Sequence, residues 1–141
     1  MKKILITGVS RGLGLEIAKN ILDKNYFVVG TSRNINSQIE KLLNSENFSY
    51  ESFDFNEVKE IKNFSSNLIK KYGRFYGLIN NAAVGNDGIL GTMHDTEISE
   101  TIRVNIEAPI LLTKYISRSM LLNQEGRLIN ISSIIASTGF N

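Results

Sequence analysis

Apolar residues occur first in short unbroken runs and then in stripes of helical spacing, and the two patterns alternate along the chain. The run Ile4-Leu5-Ile6, within Lys3–Thr7 and ended by Gly8, predicts a buried strand. Ile17, Ala18, Ile21 and Leu22 then share one face of a helix. Residues 26–31 predict a second strand, because Phe27-Val28-Val29 is rich in β-forming side chains. Strand, glycine-containing loop, helix and strand fall within about thirty residues, the length of a βαβ unit.

Residues 39–43 predict a short helix, and residues 48–55 a strand in which Phe48, Tyr50, Phe53 and Phe55 recur. A helix over 57–72 carries Val58, Ile61, Phe64 or Ser65, Leu68 and Tyr72 on one side, with Asp54 or Asn56 as its N-cap. Leu78-Ile79 is a short buried strand. A long helix runs from a cap at Asp95 or Thr96 to about residue 122, its buried side marked by Ile98, Ile102, Ile106, Ile110, Thr113 and Ile116, with Asn105 on that same side. Pro109 lies inside it and has no N–H for the carbonyl four residues earlier, which predicts a kink and a free carbonyl at Asn105. Residues 126–133 predict a turn followed by another buried strand. Strands alternating with helices indicate an α/β fold with a parallel sheet.

The first loop holds Gly8, Gly12 and Gly14 between a strand and a helix. Gly8 permits a tight turn, Gly12 lets backbone approach a ligand, and Gly14 lets helix and strand pack closely. The helix start offers unpaired N–H groups and the positive end of its dipole, which suit a pyrophosphate. A plain turn with packing glycines is the blander reading of the same residues.

Composition narrows the classes. The chain has 141 residues, a length that fits one domain, and a net charge of +2 gives no field pointing to nucleic acid or an anionic membrane. With no Cys and a single His, His94, thiolate and His-rich metal sites are excluded, and His94 reads as an exposed loop residue. No apolar run approaches a membrane span or a signal h-region, so a cytoplasmic protein is expected.

The spacing Gly8-x-x-x-Gly12-x-Gly14, preceded by Thr7, resembles the short-chain dehydrogenase/reductase family, classical type. Asn80-Asn81-Ala82-Ala83 is similar to the family's Asn-Asn-Ala-Gly motif, with Ala83 where Gly is usual. Val104-Asn105 and Ser132-Ser133 also match family pairs. The resemblance implies a Rossmann-type doubly wound parallel sheet of strand order 3-2-1-4-5, incomplete at its fifth strand. It implies NADP (NADPH) as cofactor and hydride transfer to or from a carbonyl/alcohol substrate.

Gly8, Ser10, Arg11, Gly12, Leu13 and Gly14 would then hold the pyrophosphate. Asp54 and Phe55 would meet the adenine, unless Asp54 serves as a helix cap. Asn81, Ala82 and Ala83 would line the ribose. No acid stands at the end of the second strand, where NAD-binding proteins hold the ribose 2′-OH; Arg33 is there, and Arg33 with Arg11 suits a 2′-phosphate. Ser133 would orient the substrate carbonyl. The Asn105 main-chain carbonyl would hold a relay water, or Asn105 is simply satisfied at the proline kink.

The resemblance also implies a catalytic Tyr with Lys four residues on, starting about a dozen residues after the Ser. No Tyr in these 141 residues has Lys at that spacing, and Ser133 lies eight residues from the last residue. The expectation is a single NADP-binding Rossmann domain over 1–141, C-terminally truncated, inactive alone, with a bare fifth strand. The alternative is a non-catalytic NADP-binding module or truncated remnant. Complete relatives usually pair, so a homo-oligomer remains open, and no nucleic-acid or membrane partner is expected.

Overall fold

In the computed structural model, which describes residues 1–138, the strands are β1 (Lys3–Thr7), β2 (Phe27–Ser32), β3 (Phe48–Ser52), β4 (Gly77–Asn80) and β5 (Arg127–Asn130). All pair in parallel in one sheet, in the order β3-β2-β1-β4-β5. The helices are α1 (Gly12–Leu22), α2 (Ser37–Leu42), α3 (Ile61–Tyr72), α4 (Asp95–Ile102), α5 (Ala108–Asn123) and the short α6 (Ile135–Thr138). This is the Rossmann-type architecture and strand order that the resemblance implies.

Alternation along each strand divides the core in two. Leu5, Val29 and Leu78 pack with Ile61, Leu68, Leu112 and Ile116 of α3 and α5. Ile4, Ile6, Val28 and Ile79 pack with Leu15, Ala18 and Ile39 of α1 and α2. A parallel sheet covered on both faces needs strands apolar at successive positions, as β1 is.

Several sequence expectations are corrected. β3 ends at Ser52 rather than residue 55. Phe53 instead stacks on Phe64 of α3 (ring centroids 4.1 Å apart), with Phe55 edge-on, so aromatic packing takes the chain out of the ladder. Neither Asp54 nor Asn56 caps α3, which follows a single 3₁₀ turn over Val58–Glu60. Asp54 Oδ1 accepts the Asn56 N–H at 2.9 Å, and Asn56 Oδ1 accepts from Arg103 Nε at 2.7 Å. The cap of α4 is His94, not Asp95 or Thr96; the Glu97 carboxylate accepts the His94 N–H at 3.1 Å.

The expected long helix is two helices joined by a π-helical turn over Arg103–Glu107, where the Ala108 N–H donates to the Arg103 carbonyl five residues back. Pro109 sits in the first turn of α5, where its missing N–H costs little. The widened turn therefore takes the place of a kink within one helix. The buried side is Val104, Ala108, Leu112, Ile116 and Met120, while Ile102, Ile106, Ile110 and Asn105 are exposed. β5, expected to be buried, is exposed at all four positions because no helix among the described residues covers it.

Candidate functional site

The carboxyl ends of β1, β2 and β4 converge on one cleft, and each loop there is fixed by a different device. After β1, Gly8 and Gly12 have φ of +75 and +58, values that side-chain-bearing residues rarely adopt. The N–H groups of Gly8 and Val9 both donate to the Thr31 carbonyl of β2, at 2.7 and 3.2 Å. Arg11 precedes α1 in extended backbone, its side chain makes no cap, and the first turn holds no acid. The N–H groups at the start of α1 are therefore left for another acceptor, with the helix dipole unopposed.

Gly14 has a different reason. A Cβ there would stand 2.3 Å from both the Gly8 carbonyl oxygen and Asn81 Nδ2. The glycine is required by protein packing and does not line the cleft.

After β4, Asn81 ties the loop to β1. Its N–H and that of Ala82 both donate to Thr7 Oγ1 at 2.9 Å, while Asn81 Nδ2 donates to the carbonyls of Thr7 (2.9 Å) and Gly8 (3.1 Å). Asn80, buried at the end of β4, donates to Asn130 Oδ1 of β5 at 2.8 Å and to Thr113 Oγ1 of α5 at 3.0 Å. The two amides thus brace the sheet in opposite directions, each donating two hydrogen bonds through its Nδ2.

The cleft has a volume of about 550 Å³, in the range of small-molecule sites. Gly8, Ser10, Arg11, Gly12, Leu13, Arg33, Asp54, Phe55, Asn81, Ala82 and Ala83 all line it, so every expected cofactor residue but Gly14 is brought together. Arg11 and Arg33 are exposed, and Arg33 is held through its carbonyl, which accepts from Ser52 Oγ at 2.7 Å. Ser133 and Asn105 do not line the cleft. Ser133 is exposed just past β5. Asn105 is engaged through its side chain, which bonds the Val84 backbone in both directions.

Sequence reasoning passed over four residues. The Thr7 hydroxyl organises the β4 loop, Asn36 reaches the glycine loop, Arg103 holds Asn56, and Val104 lines the cleft. Thr7 and Val104 stand in motifs, just before Gly8 and Asn105, but all four roles depend on residues distant in sequence. Among the described residues no group of acidic, His or Cys side chains could hold a metal, and no helix is long and apolar enough to cross a membrane.

Comparison with known proteins places these features. The model of the family described as short chain dehydrogenase matches residues 2–141. The 3-oxoacyl-[acyl-carrier-protein] reductase FabG of Buchnera aphidicola subsp. Acyrthosiphon pisum is 33% identical over 136 residues, which cover 95% of this chain and 55% of that protein. The chain thus spans a little over half the length of the curated relatives it matches. A metagenomic short-chain oxidoreductase solved in complex with NADP superposes with a TM-score of 0.87 at 30% identity, over 94% of this chain and 62% of the other. ElxO with NADP bound gives a TM-score of 0.86 at 33% identity, over 99% of this chain and 58% of the other.

Proposed function

The chain belongs to the short-chain dehydrogenase family, and on that premise we propose that it is the NADP-binding part of an oxidoreductase acting on a carbonyl/alcohol substrate. The observation that carries this reading is the uncapped start of α1, which opens on a cleft flanked by two guanidinium groups, Arg11 and Arg33. The spare N–H groups at residues 12–14 suit a pyrophosphate. Arg33, at the end of β2 with no acid beside it, suits a 2′-phosphate. Asp54 and Phe55 form the adenine end, and Asn81 to Ala83 the ribose wall. A bound NADPH would supply the hydride. Solved relatives carrying NADP support this choice, and the reductase names of the curated relatives support a carbonyl substrate. A cytoplasmic setting goes with it.

Residues 1–141 bind the nucleotide and turn over no carbonyl by themselves. The support is that none of the five tyrosines has Lys four positions on, and that neither Ser133 nor Asn105 reaches the cleft wall. A non-catalytic NADP-binding module is the second reading, favoured by the same two observations.

Fluorescence titration with NADPH, with NADH as comparison, tests the cofactor. Tighter binding of NADPH is expected, and Arg33→Ala should weaken it by about 1.5–3 kcal/mol, the worth of a charged hydrogen bond. Equal affinity for both nucleotides, or no binding, would overturn the NADP assignment. Substrate-dependent NADPH oxidation by the chain alone would overturn the claim of inactivity.

A further inference from the structure

Asn36 has no part in the cofactor reading, yet it is where α2 meets the glycine loop. It precedes α2 in extended backbone (φ −143, ψ 174), and its Oδ1 accepts the Ile39 N–H at 3.1 Å. Its Nδ2 donates to the Ser10 carbonyl at 2.8 Å. One planar amide therefore caps one helix and clamps the loop that leads into another. The two ends cannot be exchanged, because the cap needs an acceptor and the Ser10 carbonyl a donor.

Among the described residues, no other side chain bonds to the backbone of Ser10, Arg11 or Gly12. The loop entrance is held separately, by the Thr31 carbonyl and by Asn81. The peptide between Ser10 and Arg11 is planar and trans. Fixing the Ser10 carbonyl therefore fixes the Arg11 N–H and the direction in which the chain enters Arg11. Asn36 lines the same cleft as Arg11 and Arg33 and stands three positions after Arg33.

We propose that Asn36 is a positioning residue that sets the preference for NADP over NAD, by clamping the Ser10 carbonyl and so holding Arg11 ready for the 2′-phosphate. The inference rests on the cofactor reading above. It adds that the 2′-phosphate site is pre-formed by a bond between the glycine loop and the α2 cap. NAD has no 2′-phosphate, so its affinity should depend far less on where Arg11 points.

Asn36→Ser separates the two jobs of the side chain. Serine is a good N-cap and uncharged, but too short to bridge to Ser10. In nucleotide titrations of the 141-residue chain, Asn36→Ser should weaken NADPH about tenfold and NADH no more than about twofold, the size of one lost hydrogen bond. A double-mutant cycle adds a readout that a purely structural role would not move. Once Arg11 is replaced by Ala, adding Asn36→Ser should cost less than about twofold more. Unchanged NADPH affinity, equal weakening of both nucleotides, or full additivity with Arg11→Ala would each overturn the proposal. If the unsubstituted chain binds neither nucleotide, the cofactor reading fails first and this inference goes with it. Asn36→Thr, also a neutral cap, serves for the same measurements if the serine variant melts below the titration temperature.

Discussion

The side chain of Asn105 pairs with the backbone of Val84 in both directions: Oδ1 accepts the Val84 N–H at 2.9 Å, and Nδ2 donates to the Val84 carbonyl at 2.8 Å. The amide copies a neighbouring strand for one residue and fastens the loop after β4 to the π turn before α5. Asn105→Ala should lower stability by about 1 kcal/mol, since the site is exposed and water can replace the lost partner. Urea denaturation would measure this. Limited proteolysis should cut faster between residues 84 and 92 in the variant, and an unchanged cleavage rate would count against the fastening.

Two glycines in the first turn of α1 should respond differently to alanine. At Gly14 a methyl group would overlap the Gly8 carbonyl and Asn81 Nδ2, both 2.3 Å from its position, so Gly14→Ala should cost about 3 kcal/mol or more. At Gly12 the space is open and only the φ of +58 is unfavourable, so Gly12→Ala should cost about 1–2 kcal/mol. Denaturation midpoints of the two variants give the comparison, and equal losses would mean that crowding at Gly14 relaxes.

Glu51 of β3 links to α3 through Lys71 Nζ at 2.7 Å and the Tyr72 hydroxyl. Partial burial pushes its carboxyl up, but the hydrogen bonds from Lys71 and Tyr72 outweigh this and hold it below the usual carboxylate range. Its contribution is thus present above about pH 4 and is lost as pH falls through the lowered folded value. The hydrogen bond to Glu51 raises the Lys71 ammonium; burial, then Glu51, raises the Tyr72 phenol. Those contributions are present below about pH 10 and lost as pH rises through the raised values. Lys71 is 64% exposed, so Glu51→Gln should cost under about 1 kcal/mol at neutral pH. Urea midpoints at pH 7 and pH 3 should differ between variant and parent only at the higher pH.

The chain exposes 8941 Å², against about 7,300 Å² for a compact monomer of its 15.8 kDa mass. The excess is about twice the roughly 800 Å² that one partner contributes to a standard interface. Ile106 beside the π turn is 51% exposed and Ile129 of the edge strand β5 is 48% exposed. Edge strands of this kind pair with further chains. Sedimentation velocity should show self-association that rises with concentration and that Ile106→Lys with Ile129→Lys reduces. A single monomeric species at every concentration would remove the claim.

Legibility followed distance along the chain. The glycine loop could be read from residues 8–14 because its requirements are local: positive φ at Gly8 and Gly12, and an adjoining helix start. The role of the Thr7 hydroxyl could not, because its two donors come from residues 81 and 82. The Asn56 cap failed for the same reason: Asn56 looks like an N-cap until Arg103 claims its side-chain oxygen.

By itself the sequence determined most of the strands and helices, their order, and the glycine turn that opens a cleft, since these follow from the spacing of apolar residues and from backbone sterics within a few positions. Only the tertiary structure decided which side of the segment around Pro109 is inside. That segment carries two apolar stripes, Ile102-Ile106-Ile110 and Val104-Ala108-Leu112, offset by two residues, or about 200° around the axis. The second faces the sheet and the first faces solvent. Periodicity is a property of one segment, whereas burial belongs to two surfaces that meet, so the choice waited for α3 and the sheet to supply the second surface.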